Sequence, residues 1–421
     1  MAGMPFPAST TTNDRRHLEV DGCDLVEVAA SFGTPVYLFS VSEMKNRARA
    51  YVDAFSARSD RFEVLFASKA LPVTAAYRLF SDEGLSVDVA SGGELTMALA
   101  AGFDPTRIYM HGNNKTDAEL KLADESGVGT LIVDSFDEIE RCERVLDRKI
   151  DAMVRVTPGI EPSTHDYIQT GQLDSKFGFG LEDGSAARAV ERVADSNRLE
   201  LVGLHCHIGS QIFEIEPFRL AVEALATLAG DWCRMVNLGG GLGISYLSGD
   251  DPPGIEEYVE LKVEAVRSSF GDGVKILVEP GRSLVGTAGL TAYTIGTVKE
   301  IPGVRTYVAV DGGMSDNLRP MLYGAQYEAV IADRPEREGD TAVTVAGSHC
   351  ESGDILIRDV SLPDPAVGDL LVIPATGAYG YAMANNYNGM PRPPVVFLED
   401  GEAEEVVRRE SWQDLMARDR G

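Results

Sequence analysis

The chain's 421 residues are 44% hydrophobic and 25% charged, a balance that excludes a disordered tail and supplies enough apolar side chains for large buried cores. Lys and Arg number 38 against 66 Asp and Glu, a formal net charge of -28. That repels nucleic-acid phosphates and anionic membrane surfaces, although a local basic pocket can still hold a small anion. At this length two domains are the default, one of them a barrel of about 250 residues.

The opening residues, MAGMPFPASTTTNDRRHLEV, hold no apolar run of the signal-peptide kind, and no stretch reaches the roughly 18 apolar residues of a membrane span. The five cysteines, Cys23, Cys142, Cys206, Cys233 and Cys350, show no CxxC spacing and read as reduced thiols. A cytoplasmic protein is expected.

Leu18 to Phe39 carries two short extended candidates, one of them Pro35 to Phe39, expected to pair with a β domain further on. From Phe62 to Gly281 short apolar runs alternate with amphipathic helical stretches. The runs are Glu63–Ala67, Leu85–Ala90, Arg107–Met110, Thr130–Val133, Ala152–Val156, Glu200–Cys206, Met235–Leu238 and Lys275–Val278. Predicted helices between them include Glu94–Ala101, Thr116–Glu125, Phe136–Leu146, Pro217–Ala229 and Ile255–Ser269. Eight such alternations predict a (β/α)8 barrel. After Gly289 the texture becomes β-rich, with runs at Leu290–Val298, Thr306–Val310, Thr341–Val345, Asp369–Ile373 and Pro394–Leu398. The fold class is therefore α/β plus all-β: a barrel over residues 36–284, and a β-rich domain formed by residues 1–35 together with 285–421.

In such a barrel the C-terminal ends of the strands make the active site, and nearly every strand here ends in polar or Gly residues. Lys69 follows the first strand and Asp88 closes the second. His111 to Asn114 follow the third, and Arg155 ends the fifth. His205, His207, Gly209 and Ser210 end the sixth, Gly239-Gly240-Gly241 follows the seventh, and Glu279-Pro280-Gly281-Arg282 follows the eighth. The loops after strands seven and eight commonly hold a phosphate, and a triple Gly lets backbone N–H groups approach it. A phosphate site with a buried strand-end lysine, made nucleophilic by a low-dielectric pocket, suggests a phosphorylated aldehyde held covalently: pyridoxal phosphate.

Glu279 is placed to pair with a protonated ring nitrogen, and Ser210 to add a hydroxyl donor. Two histidines in one strand ordinarily pack inside. With Gly209-Ser210 directly following, His207 is read as facing the cofactor ring, and His205 is left open. No HxxE or HExxH spacing supports a metal site. In the β-rich region Asp316 to Tyr323, His349 to Asp354 and Gly377 to Gly380 form polar clusters, and Cys350 there suits a partly exposed thiol acting as an acid.

At these residues the sequence resembles the pyridoxal-phosphate decarboxylases of the alanine-racemase-like fold (fold type III), and among them the diaminopimelate decarboxylase family. The motifs FASKA, DVASGGEL, HGNNK, HDYIQTG, SKFG, GLHCHIGSQ, NLGGGLG, EPGRS, RPMLYGA, HCESGD and GAYGYAM stand in the family's order. The resemblance implies that Lys69 binds pyridoxal 5'-phosphate covalently, His207 stacks on its ring, and Glu279 meets its ring nitrogen. Ser210, Gly240, Gly281 and Tyr379 hold the phosphate, with Asp88 and Arg155 nearby. Arg282, Arg319 and Tyr323 grip the substrate's distal carboxylate, with Tyr379 also at the substrate, and Glu351 receives its distal amine. Cys350 acts as the acid, supplied by the neighbouring subunit of a homodimer with shared active sites.

The implied reaction is loss of CO2 from meso-2,6-diaminopimelate to give L-lysine, the last step of lysine biosynthesis. Decarboxylases of ornithine, arginine or carboxynorspermidine, or of a carrier-bound amino acid in a natural-product pathway, are the alternatives. Ornithine lacks the distal carboxylate that two arginines would grip, which favours diaminopimelate. A catalytically silent relative would have lost Lys69 or Cys350, and both are present.

Overall fold

The computed structural model describes residues 3–160 and 175–420; the HDYIQTG motif, residues 165–171, lies outside them. The chain divides into two compact units, one of Arg47–Gly243 with Asp251–Ser283, the other of Met1–Asn46, Ile244–Asp250 and Leu284–Gly421.

The first unit is a closed barrel of eight parallel strands: β1 (Phe62–Ala67), β2 (Ser86–Val89), β3 (Ile108–Met110), β4 (Thr130–Val133), β5 (Ile150–Thr157), β6 (Leu199–His205), β7 (Met235–Asn237) and β8 (Lys275–Val278). Closure is made by β8 pairing with β1, Ile276 opposite Phe62. A short strand, Phe179–Gly180, extends the pairing of β5. Helices follow the strands, several started by side-chain caps. Ser91 and Ser135 each accept a backbone N–H, and Thr116 forms a reciprocal capping box with Glu119. The helices Thr74–Asp82 and Ser185–Ala194 were not among those expected.

Leu65, Tyr109, Ile132, Met153, Val202 and Leu277, with Met235 packed against them, form one buried cluster drawn from seven of the eight strands. Successive side chains of a strand alternate faces, so the residue two further on points the same way. Tyr109, Ile132, Met153, Met235 and Leu277 are therefore followed on the inner face by His111, Asp134, Arg155, Asn237 and Glu279. All five are buried. An apolar layer thus carries a polar layer at the end of the barrel where the strands finish. In β6 a register irregularity between Leu201 and Gly203 makes Val202 an extra residue and sets His205 opposite Arg155.

The second unit is a sheet in the order Ile355–Leu362, Thr341–Ala346, Arg305–Val310, Gly289–Ile301, Val36–Ser40, Val395–Glu399, Glu402–Val407. Leu370–Ile373 also pairs with the long strand Gly289–Ile301, whose 13 residues serve three neighbours. Two buried clusters fill this unit, one around Tyr293, Val308 and Leu371, the other around Leu18, Leu38 and Leu290. Val36–Ser40 is buried throughout and lies between Gly289–Ile301 and Val395–Glu399. The boundary expected at residue 36 is thereby displaced: this strand, and the start of the helix Val41–Ser56 that follows it, group with the sheet unit up to Asn46.

Candidate active site

Glu279 organises the polar layer. Its Oε1 accepts from the Asn237 amide at 2.6 Å and lies 2.8 Å from His111 Nε2, while Oε2 lies 3.3 Å from His205 Nε2. The His111 contact is close but off the angle a hydrogen bond needs. Burial pushes the Glu279 carboxyl up; the two imidazoles outweigh that and hold it well below the usual carboxylate range. Burial, helped by His111 and Arg155, takes the His205 imidazole down to about 4, with Glu279 opposing. The layer therefore presents an ionised carboxylate at neutral pH.

His111, His205 and Glu279 bring their potential donor atoms within 4.8 Å of one another, close enough to hold a divalent ion. The pair weighed in the sequence, His205 with His207, is not the one that converges. A metal at these atoms would have to compete with the Asn237 amide, which makes the group fit an anion presented to a cationic ring nitrogen better than a ligand set.

Lys69 sits in the single turn Ser68–Ala70 that follows β1. The residue is exposed, which corrects the expectation of a buried lysine: the turn carries it past the end of β1 and out of the packed layer. Its charge is nevertheless felt by its neighbours. Asp88 is raised well above the usual range by burial and by Glu279, with Lys69 and Arg155 opposing. Burial, then the charges of Lys69 and Arg155, hold the half-buried His207 imidazole well below its ordinary value.

Arg155 lies 3.6 Å from Asp134 and 4.3 Å over the Phe177 ring, while Asp134 accepts the Gly178 N–H at 2.8 Å. Asp134, Asn237 and His111 were given no role from the sequence. Each stands two residues beyond a barrel-lining apolar residue, which is the signal that could have found them.

The loop after β7 is compact because glycine is required. A Cβ on Gly240 would lie 2.3 Å from the Glu279 carbonyl oxygen, and one on Gly241, whose φ is +111°, would lie 2.6 Å from that of Gly209. Asn237 Oδ1 accepts the Gly239 N–H at 3.0 Å, and the Ile212 N–H donates to Gly241 at 2.9 Å. The N–H groups of Gly240, Gly241 and Gly281 donate to no acceptor among the described residues. Ser210 Oγ accepts from Arg282 Nη2 at 2.9 Å, so Arg282, assigned to the substrate, stands beside a residue assigned to the phosphate. Open N–H donors, a hydroxyl, a guanidinium, an ionised carboxylate and a strand-end lysine fit pyridoxal phosphate.

The remaining predicted residues lie in the sheet unit. Arg319 opens the helix Arg319–Tyr323, is buried, donates to the Tyr327 hydroxyl, and lies 4.6 Å over the Tyr246 ring. Tyr323, at the end of that helix, is half-buried. Cys350 and Glu351 are exposed. Their loop is anchored by Asp354, which accepts the His349 and Met314 N–H groups at 2.9 and 2.7 Å and meets His349 Nδ1 at 2.8 Å. The Cys350 N–H donates to Asn388 Oδ1 at 2.8 Å. Tyr379 is half-buried with φ +66°.

Residues 41–286 match the family described as pyridoxal-dependent decarboxylase, pyridoxal binding domain. The chain is 49% identical to the diaminopimelate decarboxylase of Bacillus subtilis over 430 aligned positions, covering 99% of this chain and 98% of that one. Its fold matches a crystal structure of diaminopimelate decarboxylase from M. jannaschii in complex with L-lysine, at a TM-score of 0.91, 33% identity, and coverage of 100% and 98% of the two chains. The Helicobacter pylori diaminopimelate decarboxylase complexed with L-lysine matches at a TM-score of 0.87 and 31% identity, covering 93% of this chain and 98% of that one. The eight-stranded barrel with its glycine loop and buried carboxylate, and likeness over essentially the whole length, lead to one conclusion: the chain belongs to the pyridoxal-dependent decarboxylases, within the diaminopimelate decarboxylase family.

Proposed function

We propose that the chain decarboxylates meso-2,6-diaminopimelate at its D-configured centre, releasing CO2 and L-lysine, with pyridoxal 5'-phosphate held at the strand ends of the barrel. The observation that carries this reading is the ionised Glu279, fixed by His111, His205 and Asn237, in a chain alike over its whole length to diaminopimelate decarboxylases. Bound pyridoxal phosphate supplies the electron sink that accepts the bonding pair of the departing carboxylate.

The chain's own residues do the rest. Lys69 Nζ would hold the cofactor aldehyde, and the Glu279 carboxylate would meet the ring nitrogen. His207 would cover a ring face, with Asp88 and Arg155 nearby. Ser210, Gly240, Gly281 and Tyr379 bind phosphate. Arg282, Arg319 and Tyr323 select the distal carboxylate, since charge-assisted pairing rejects a substrate lacking it, and Glu351 receives the distal ammonium. Cys350 Sγ returns a proton to the carbon that has lost CO2. The resemblance supports a homodimer in which Cys350 serves the barrel of the other copy. Five unbridged cysteines suit the cytoplasm.

The test is CO2 release measured over a panel of amino acids. Turnover of meso-diaminopimelate, with L-ornithine slower by about 100-fold or more because it has no distal carboxylate for the arginines to grip, is the expected outcome. Equal or faster release from L-ornithine overturns the substrate assignment.

A further inference from the structure

Behind the Gly239–Gly241 loop lies a cation that the proposed chemistry does not use. Lys262, on the helix Ile255–Phe270, is fully buried and stands one turn after Tyr258, on the face that also buries Val259 and Val263. Its Nζ donates to the Leu238 carbonyl at 3.0 Å and to the Tyr258 hydroxyl at 2.5 Å, and lies 4.7 Å from the centre of the Phe218 ring. The Tyr258 hydroxyl in turn donates to the Gly240 carbonyl at 3.3 Å. No carboxylate comes within ion-pair distance of Nζ among the described residues.

Burial takes this amine down to about 7, with the Cys206 thiol and Glu279 carboxylate pulling the other way. A buried ammonium without an anion is costly, and methionine would fill the same space without that cost. The peptide geometry supplies a reason for the lysine. In a planar trans peptide the carbonyl and the following N–H point in opposite directions. A Gly240 carbonyl held toward Tyr258 therefore turns the Gly241 N–H away from the helix, and that N–H has no acceptor among the described residues.

We propose that Lys262, acting with Tyr258, is a positioning residue for the cofactor phosphate: it holds the glycine loop from the rear with its N–H groups toward the anion, and its buried charge is balanced by that anion. The proposal rests on the pyridoxal-phosphate reading of the site. It is tested by titrating the apoprotein with pyridoxal phosphate and, separately, with pyridoxal, which has the same aldehyde and ring without the phosphate, following the visible absorbance of the bound chromophore.

In Lys262→Met, affinity for pyridoxal phosphate should fall by about ten-fold or more while affinity for pyridoxal changes by less than about three-fold. Tyr258→Phe should show the same discrimination to a smaller degree, and it decides the matter if circular dichroism shows that Lys262→Met does not fold. Equal losses for the two ligands, which a role in packing alone would produce, overturn the proposal, as does no loss for either. If the wild-type apoprotein binds pyridoxal phosphate no better than pyridoxal, there is no phosphate site for Lys262 to serve, and the cofactor reading falls first.

Discussion

Burying His205 in the polar layer has a consequence for stability. The imidazole's ordinary value is 6.5 and burial takes it to about 4 in the folded chain. Between those limits the unfolded chain binds a proton that the native chain refuses. The contribution of a neutral His205 to stability is therefore complete above about pH 6.5 and is lost as the pH falls toward 4. At about 1.4 kcal/mol per pH unit the loss reaches about 3 kcal/mol. His205→Gln, which keeps a hydrogen-bonding side chain but cannot titrate, should lose less stability on acidification across this window. Denaturant unfolding of both proteins at pH 7, 5.5 and 4.5 measures the difference, and parallel slopes would remove the assignment. The positions of Lys69, Glu279 and His207 at strand exits were legible in the sequence because each stands beside a distinctive motif. His111, Asp134 and Asn237 were not, because their inward direction follows from the strand's alternation only once the apolar layer beneath them is known. Lys262 reads in sequence as one more charge on an amphipathic helix.

The loop after β7 is an element whose chemistry is its backbone. Gly240→Ala would place a methyl carbon 2.3 Å from the Glu279 carbonyl oxygen, a backbone atom that cannot swing away. Strain of about 1–3 kcal/mol is expected, and relief must come from moving the loop. Cofactor affinity should fall by roughly 5- to 100-fold if the displaced loop bears that strain, with a smaller change in the melting temperature of the apoprotein. Unchanged affinity would mean that the loop does not touch the cofactor. The barrel strands were legible because each is a short apolar run bounded by a turn. Two of the longer strands of the sheet unit were not. Glu402–Val407 is an exposed acidic edge, EAEEVV, with little apolar signal of its own. Its hairpin with Val395–Glu399 is nonetheless written in the two residues between them, Asp400 and Gly401, at φ +51° and +83°, the pairing that the twist of two antiparallel strands favours. Ile355–Leu362 was hidden by the exposed Arg358 and Asp359 at its centre, where Asp359 has a φ of +55°.

At the scale of the whole molecule, the change from alternating α/β texture to β-rich texture after Gly289 was plain. The pairing of Pro35 to Phe39 with that later sheet was read too, although its partners lie 250 or more positions further along the chain; what was missed is that residues 36–46 group with the sheet, because the helix Val41–Ser56 carries no local sign of where one unit ends. The same separation along the chain bears on assembly. The residues proposed to hold the cofactor lie mainly in one unit and the proposed acid, Cys350, in the other. If each site takes Lys69 from one copy and Cys350 from a second, two separately inactive proteins should repair each other. Lys69→Ala and Cys350→Ala proteins, mixed equally and allowed to exchange subunits, would form mixed dimers in roughly half of all pairings. In each mixed dimer one site inherits both lesions and the other neither, so about a quarter of wild-type CO2 release should return. If the two residues met within one chain, every site would keep its own lesion and mixing would restore nothing. Subunit exchange demonstrated by differential tagging, with no activity recovered from two inactive parents, would sink the shared site while leaving the decarboxylase reading intact.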